Sequence, residues 1–118
     1  MAAANLLTDE SIDEILENLA VMPPETVAGT TYTLIEADAG KGKVFTSSDA
    51  VTVTLPAGVL PVGAVLSLYW LGEGAVSIAA GAGASIEPAG ASGISARYGS
   101  IGLWHRADGV YVVTGGAS

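Results

Sequence analysis

The only imidazole in the chain is His105, set between Trp104 and Arg106. A Ser-His-Asp arrangement around it has no supporting motif, and a zinc site needs three or four ligands where no Cys and no second His exist. His105 is therefore expected to be a surface or interface residue. The glycine-rich pieces GEGAVS and GAGASIEP lack the Lys-Ser/Thr ending of a phosphate-binding loop, so they read as β-turns. The loop Asp38-Ala39-Gly40-Lys41-Gly42 lacks the ligand spacing of a calcium loop. A glycosidase pair would have to come from Asp49, Glu73, Glu87 and Asp108, all in or beside expected turns. The residues predict no enzyme, no cofactor and no metal. What remains for recognition is aromatic. Trp104 and Tyr111, with Arg106 beside them, offer flat rings and a guanidinium that could stack on glycans.

The elements that position these residues fall into two parts. All of the formal charge of −8 sits in residues 1–38, which hold eight acids and no Lys or Arg. Residues 39–118 hold four acids and four bases. No basic cluster offers itself to nucleic acid or to an anionic membrane surface. Residues 1–7 read as an arm. A helix should start at Thr8, with Thr8 as N-cap, Asp9 and Glu10 in the first turn, and Leu7 and Ile12 spaced as a hydrophobic staple. Ile12, Ile15, Leu16 and Leu19 recur at i, i+3, i+4, i+7, which gives one apolar and one acidic face. Pro23-Pro24 ends the helix. Its stripe must dock on its own β domain, on symmetry mates or on another protein. Residues 1–30 are thus expected to be arm, helix and linker, and residues 31–118 a β domain.

From Thr31 onward the texture is short strands cut by Gly and Pro. Val51 to Leu55 alternates strictly, with Val51, Val53 and Leu55 on one side. Ala64 to Leu71 is apolar at both parities, so it is expected to be buried on both faces. Leu66, Leu68 and Trp70 then become candidates for an oligomer interface. Asp108-Gly109 signals a hairpin. A two-residue loop there sets Arg106 opposite Tyr111 and Trp104 opposite Val113, all on one side. Turn signals every 8–12 residues predict a small antiparallel, jelly-roll-like β-sandwich. Half of the residues are apolar and only 14% are charged, against roughly 25% in ordinary soluble domains. Burial between copies is the simplest remedy, and a homotrimer is the expected oligomer.

The order Tyr32-x-Leu34, Asp38-x-Gly40-Lys41, SSDAVTVTLP, LPVGA, GAVSIAAGAGASIEP and Trp104 with GVYVVTG resembles a β domain of tailed-bacteriophage virion proteins. The resemblance spans residues 32–115. It implies a trimeric β module like those of tail fibres, head fibres and capsid decoration proteins. A short arm and one helix ahead of the module look more like a head fibre or decoration protein than a tail fibre. The resemblance then implies a virion location on the capsid surface. Leu6, Leu7, Ile12, Ile15, Leu16 and Leu19 would anchor to the major capsid protein or another virion protein. The tail-fibre alternative implies an adhesin that reads host surface glycans.

Overall fold

Val51 to Leu55 forms a strand for the reason its alternation suggests: Val51, Val53 and Leu55 are fully buried while Thr52 is exposed. The same logic runs through the computed structural model, which describes residues 22–117. The expected arm and helix, and with them the anchor candidates from Leu6 to Leu19, lie outside the described residues. The strands are β1 (Pro24–Val27), β2 (Thr31–Thr33), β3 (Gly42–Phe45), β4 (Val51–Leu55), β5 (Val65–Trp70), β6 (Val76–Ala80), β7 (Ser85–Glu87), β8 (Ser100–Ala107) and β9 (Val110–Gly115). A short 3-10 turn covers Glu36–Asp38.

The chain alternates between two sheets. The larger has the order β1-β3-β5-β8-β9-β7 and the smaller β2-β4-β6. Each pair β1–β2, β3–β4 and β5–β6 is one coil, and successive coils stack in parallel and in register. Glu25 lies beside Lys43 and Lys43 beside Leu68 in one sheet; Tyr32 lies beside Val53 and Val53 beside Ile78 in the other. The arrangement is β-solenoid-like. A parallel pair needs a crossover, and here a strand of the opposite sheet supplies it in place of a helix. The core lies between the sheets, with Phe45, Leu66, Leu68, Ile101 and Leu103 facing Val51, Val53, Leu55 and Val76.

The expected antiparallel, jelly-roll-like pairing is corrected by this register. Antiparallel pairs within the sheets occur only at β5–β8 and β8–β9. Alternation reports which side of a strand faces inward, and a coil and a sandwich impose the same alternation. The direction of the neighbouring strand leaves no such trace. β1 lies inside the stretch expected to be a linker and pairs with β3 along its whole length.

The two ends of the coil stack differ. At the far end, residues 92–94 cover the edge of β6: the Ile78 amide donates to Ser92 O (2.8 Å) and the Ile94 amide to Val76 O (3.0 Å). At the near end β1 is the outermost strand among the described residues and begins with Pro24, which has no amide proton to offer a neighbour. Corners stack as tightly as strands. The Gly72 amide donates to Phe45 O (2.9 Å) and the Gly74 amide to Ser47 O (3.0 Å). A Cβ on Gly74 would collide with the Asp49 carbonyl. Gly74→Ala should therefore cost about 1–3 kcal/mol by overpacking against backbone, read as a lower urea midpoint at unchanged slope.

Candidate functional site

Three groups of residues stand out: a buried charge cluster in the first two coils, a buried histidine in the hairpin, and the outward face of the larger sheet. Lys43 and Glu25 occupy paired positions on β3 and β1, with Lys43 buried and Glu25 exposed at the near end of the stack. Lys43 Nζ donates to Glu25 Oε1 (2.6 Å) and to Asp38 Oδ1 (2.9 Å), and the Lys43 and Asp38 side chains are 5% and 1% exposed. Tyr32 Oη donates to Asp38 Oδ2 (2.7 Å), and the Ile35 amide donates to the same oxygen (2.9 Å). The ammonium also lies 5.0 Å from the centre of the Tyr32 ring. Burial pushes the Asp38 carboxyl up, but the Ile35 amide, the Lys43 ammonium and the Tyr32 hydroxyl outweigh it, so it ionises below its usual range. Burial pushes Lys43 down, and the hydrogen bonds it donates to Glu25 and Asp38 reverse this and hold it well above its ordinary value. The hydrogen bond and charge of Lys43 keep Glu25 low.

This cluster ties the 3-10 turn and β1 to β3. Its charges are spent on one another, and among the described residues no buried side-chain nitrogen or oxygen lacks a partner. Lys43→Met should cost about 3–5 kcal/mol, because it leaves Asp38 charged and unpaired in the core. Adding Asp38→Asn should recover much of that loss. The pH dependence follows from the two lowered carboxyls. Their contribution is present in full above the ordinary values of 3.8 and 4.5 and is lost as pH falls through the lower folded values. Lys43 acts in the opposite direction, present in full below 10.5 and lost only above it. Denaturant midpoints measured from about pH 5 down to about pH 3 should fall for the native chain and fall less for Lys43→Met.

The hairpin is a different object from the one expected. Gly109 has φ 76°, and the register shifts between Val110 and Tyr111. The turn therefore carries a bulge in place of a simple two-residue loop. The shift of one residue sets Tyr111 opposite His105 and Trp104 opposite Val112. Tyr111 is fully buried, so it is withdrawn from the candidate glycan surface; its Oη donates to Pro56 O (2.6 Å). His105 is likewise fully buried, against the expectation of a surface position. Its ring stacks on Tyr111 at 4.7 Å. Nε2 accepts from the Gly109 amide (2.8 Å), which leaves Nδ1–H to donate to Pro61 O (3.1 Å). The imidazole thus bolts the hairpin turn to the loop before β5. His105→Phe keeps the ring stack, orphans the Gly109 amide and leaves Pro61 O with the Ala64 amide alone; it should cost about 1–3 kcal/mol, measured by chemical denaturation.

β5 is buried on one face only. Leu66 and Leu68 are fully enclosed by their own chain, so they belong to the core and are not available as a contact surface. Trp70 is half-buried, with Nε1 donating to Gly72 O (2.8 Å). The opposite parity faces outward. Val65 is 50% exposed and sits beside Trp104, 47% exposed, which sits beside half-buried Val112. Val44 and Tyr69 form a second outward pair on β3 and β5. Arg106 and Glu87 lie at the rim in a bidentate pair (2.7 and 2.9 Å). The smaller sheet turns a different face outward, with rows Thr31–Thr52–Ser77 and Thr33–Thr54–Ala79. Both parities of β5 are rich in apolar residues, and the chain's own core takes the one that holds Leu66 and Leu68.

Among the described residues no group of three or more His, Asp or Glu side chains is placed to hold a metal ion, and no helix is long and apolar enough to cross a membrane. The chain matches no protein-family model, and no characterised protein or solved structure shows a significant match to it.

Proposed function

We propose that this chain is a structural virion protein of a tailed bacteriophage, a trimeric knob that decorates the capsid surface and is anchored by its N-terminal segment. The observation that carries this reading is the use made of the interior ionisable groups. Lys43, Asp38 and His105 each hold one piece of backbone to another, which is the economy of a rigid scaffold. The resemblance of residues 32–115 to phage virion β domains supplies the location. The acidic segment with its stripe of Ile12, Ile15, Leu16 and Leu19 lies ahead of β1, the outermost of the described strands, which begins with Pro24. It is the natural element to reach a major capsid protein or another virion protein.

Deletion of residues 1–21 should leave a folded trimer that no longer binds capsids, scored by co-sedimentation with virions and by cryo-electron microscopy of the particle. Normal decoration by that variant would remove the anchor assignment. A second reading is favoured by the outward Trp104 beside the Arg106–Glu87 pair: an adhesin that stacks glycans on the indole. Saturable binding on a glycan array, lost on Trp104→Ala, would support it over the capsid role.

A further inference from the structure

Three turns meet at the tip of the β8–β9 hairpin, and His105 lies beneath them. The Gly58 amide donates to Asp108 Oδ1 (3.2 Å), the Ser85 amide donates to Gly109 O (2.7 Å), and Tyr111 Oη donates to Pro56 O (2.6 Å). Gly109 is itself buried, and a Cβ there would collide with Gly83 O. The hairpin turn, the loop before β5 and the turn before β7 therefore form one packed unit. Among the described residues, the ionisable side chains buried within it are His105 and Tyr111, whose rings stack on each other.

The hydrogen bonds fix which form of the ring fits. Nε2 accepts from the Gly109 amide at 2.8 Å, so it carries no proton in this arrangement, and the ring proton sits on Nδ1, facing Pro61 O at 3.1 Å. A proton added at Nε2 would set one N–H against another and place a charge in a site closed to water. The surroundings offer it little compensation. Residues 56–64 and 81–85 contain no Asp, Glu, Lys or Arg. Asp108 is exposed in the hairpin turn, and its Oδ1 already accepts from Gly58. Burial, and after it the Asp108 charge, push the Tyr111 hydroxyl up, so the stacked ring stays neutral. Arg106 and Glu87 are bonded to each other on the outward side of the sheet.

We infer that His105 is an acid-sensitive latch on the hairpin turn: uptake of one proton from solvent at Nε2 breaks the bond to Gly109 and frees the turn at residues 107–110. The sheet itself stays closed. The backbone bonds from the Gly63 amide to His105 O (2.6 Å) and from the His105 amide to Ala64 O (2.9 Å) do not involve the ring. The latch goes beyond the proposed function and does not depend on it. Its pH window separates it from the carboxylates around Lys43. An imidazole ordinarily changes charge between about pH 5 and 8, the chain has no Cys and no second His, and the lowered Asp38 and Glu25 carboxyls act below that range. By linkage, the contribution of the neutral ring is present in full toward the top of this window and is lost as pH falls through it.

Amide exchange of the full-length chain, followed by NMR at about pH 7.5 and about pH 5, tests the latch. Protection factors are compared, which removes the intrinsic pH dependence of exchange. The Gly109 amide should lose about tenfold in protection at the lower pH, the size of one lost hydrogen bond, in step with titration of the single imidazole resonance. The Val51 and Thr52 amides, bonded to Ala75 O and Thr30 O, should keep theirs. His105→Phe should show the low Gly109 protection at both pH values. Its denaturant midpoint should stay flat across the window in which the native midpoint falls, which separates His105 from any other group that titrates there. Gly109 protection that holds while the imidazole titrates overturns the inference. So does an imidazole that stays neutral down to about pH 5, or an equal fall in midpoint for His105→Phe. The native exchange series decides the matter even where that variant does not fold.

Discussion

Parallel stacking in register is the constraint on which the rest depends. Each strand of a coil must place its apolar residues directly beside those of the coil before it, as Tyr32, Val53 and Ile78 do in one sheet and Phe45 and Trp70 do in the other. A slip of one residue would turn every one of these side chains to water. The corners must stack with the strands, which is why Gly72 and Gly74 lie hard against the backbone of residues 46–50. The stack grows by repetition and has no internal reason to stop.

Both ends therefore need a device. At one end the chain turns back on itself as the antiparallel β8–β9 hairpin, and residues 92–94 close the edge of the smaller sheet. At the other end the interior changes from aliphatic to ionic. The positions that hold Leu68 in the third coil hold Lys43 in the second and Glu25 in the first. Among the described residues the buried Lys43–Asp38 pair and the exposed Glu25 thus give this end of the stack a polar character that the aliphatic third coil lacks. His105 plays the matching role at the hairpin, where its two ring nitrogens join the turn to the loop before β5.

These devices account for the interior and leave the outside as the place where function must lie. One outward face carries rows of Thr and Ser; the other carries Val65, Trp104 and Val112 beside a row of Ser67, Gly102 and Thr114, with the Arg106–Glu87 pair at its rim.

Much of this was legible in the residues. The strands at Val51 to Leu55 and within Ala64 to Leu71 follow from alternation and apolar runs bounded by Gly and Pro, whereas the start of β8 at Ser100 does not. The inward parity of Val51, Val53 and Leu55 and the turn at Asp108-Gly109 follow as well. Local chemistry decides those features, because side-chain period and turn preference are properties of short stretches. Only the tertiary structure decided strand direction, the burial of His105 and Tyr111, and which parity of β5 faces out. Parallel and antiparallel neighbours leave the same trace in a strand, and a single bulge at Val110/Tyr111 exchanges the faces of a hairpin. An apolar residue beside another apolar residue does not say which of the two meets its own core. That depends on where the opposite sheet lies, and no stretch of sequence carries it.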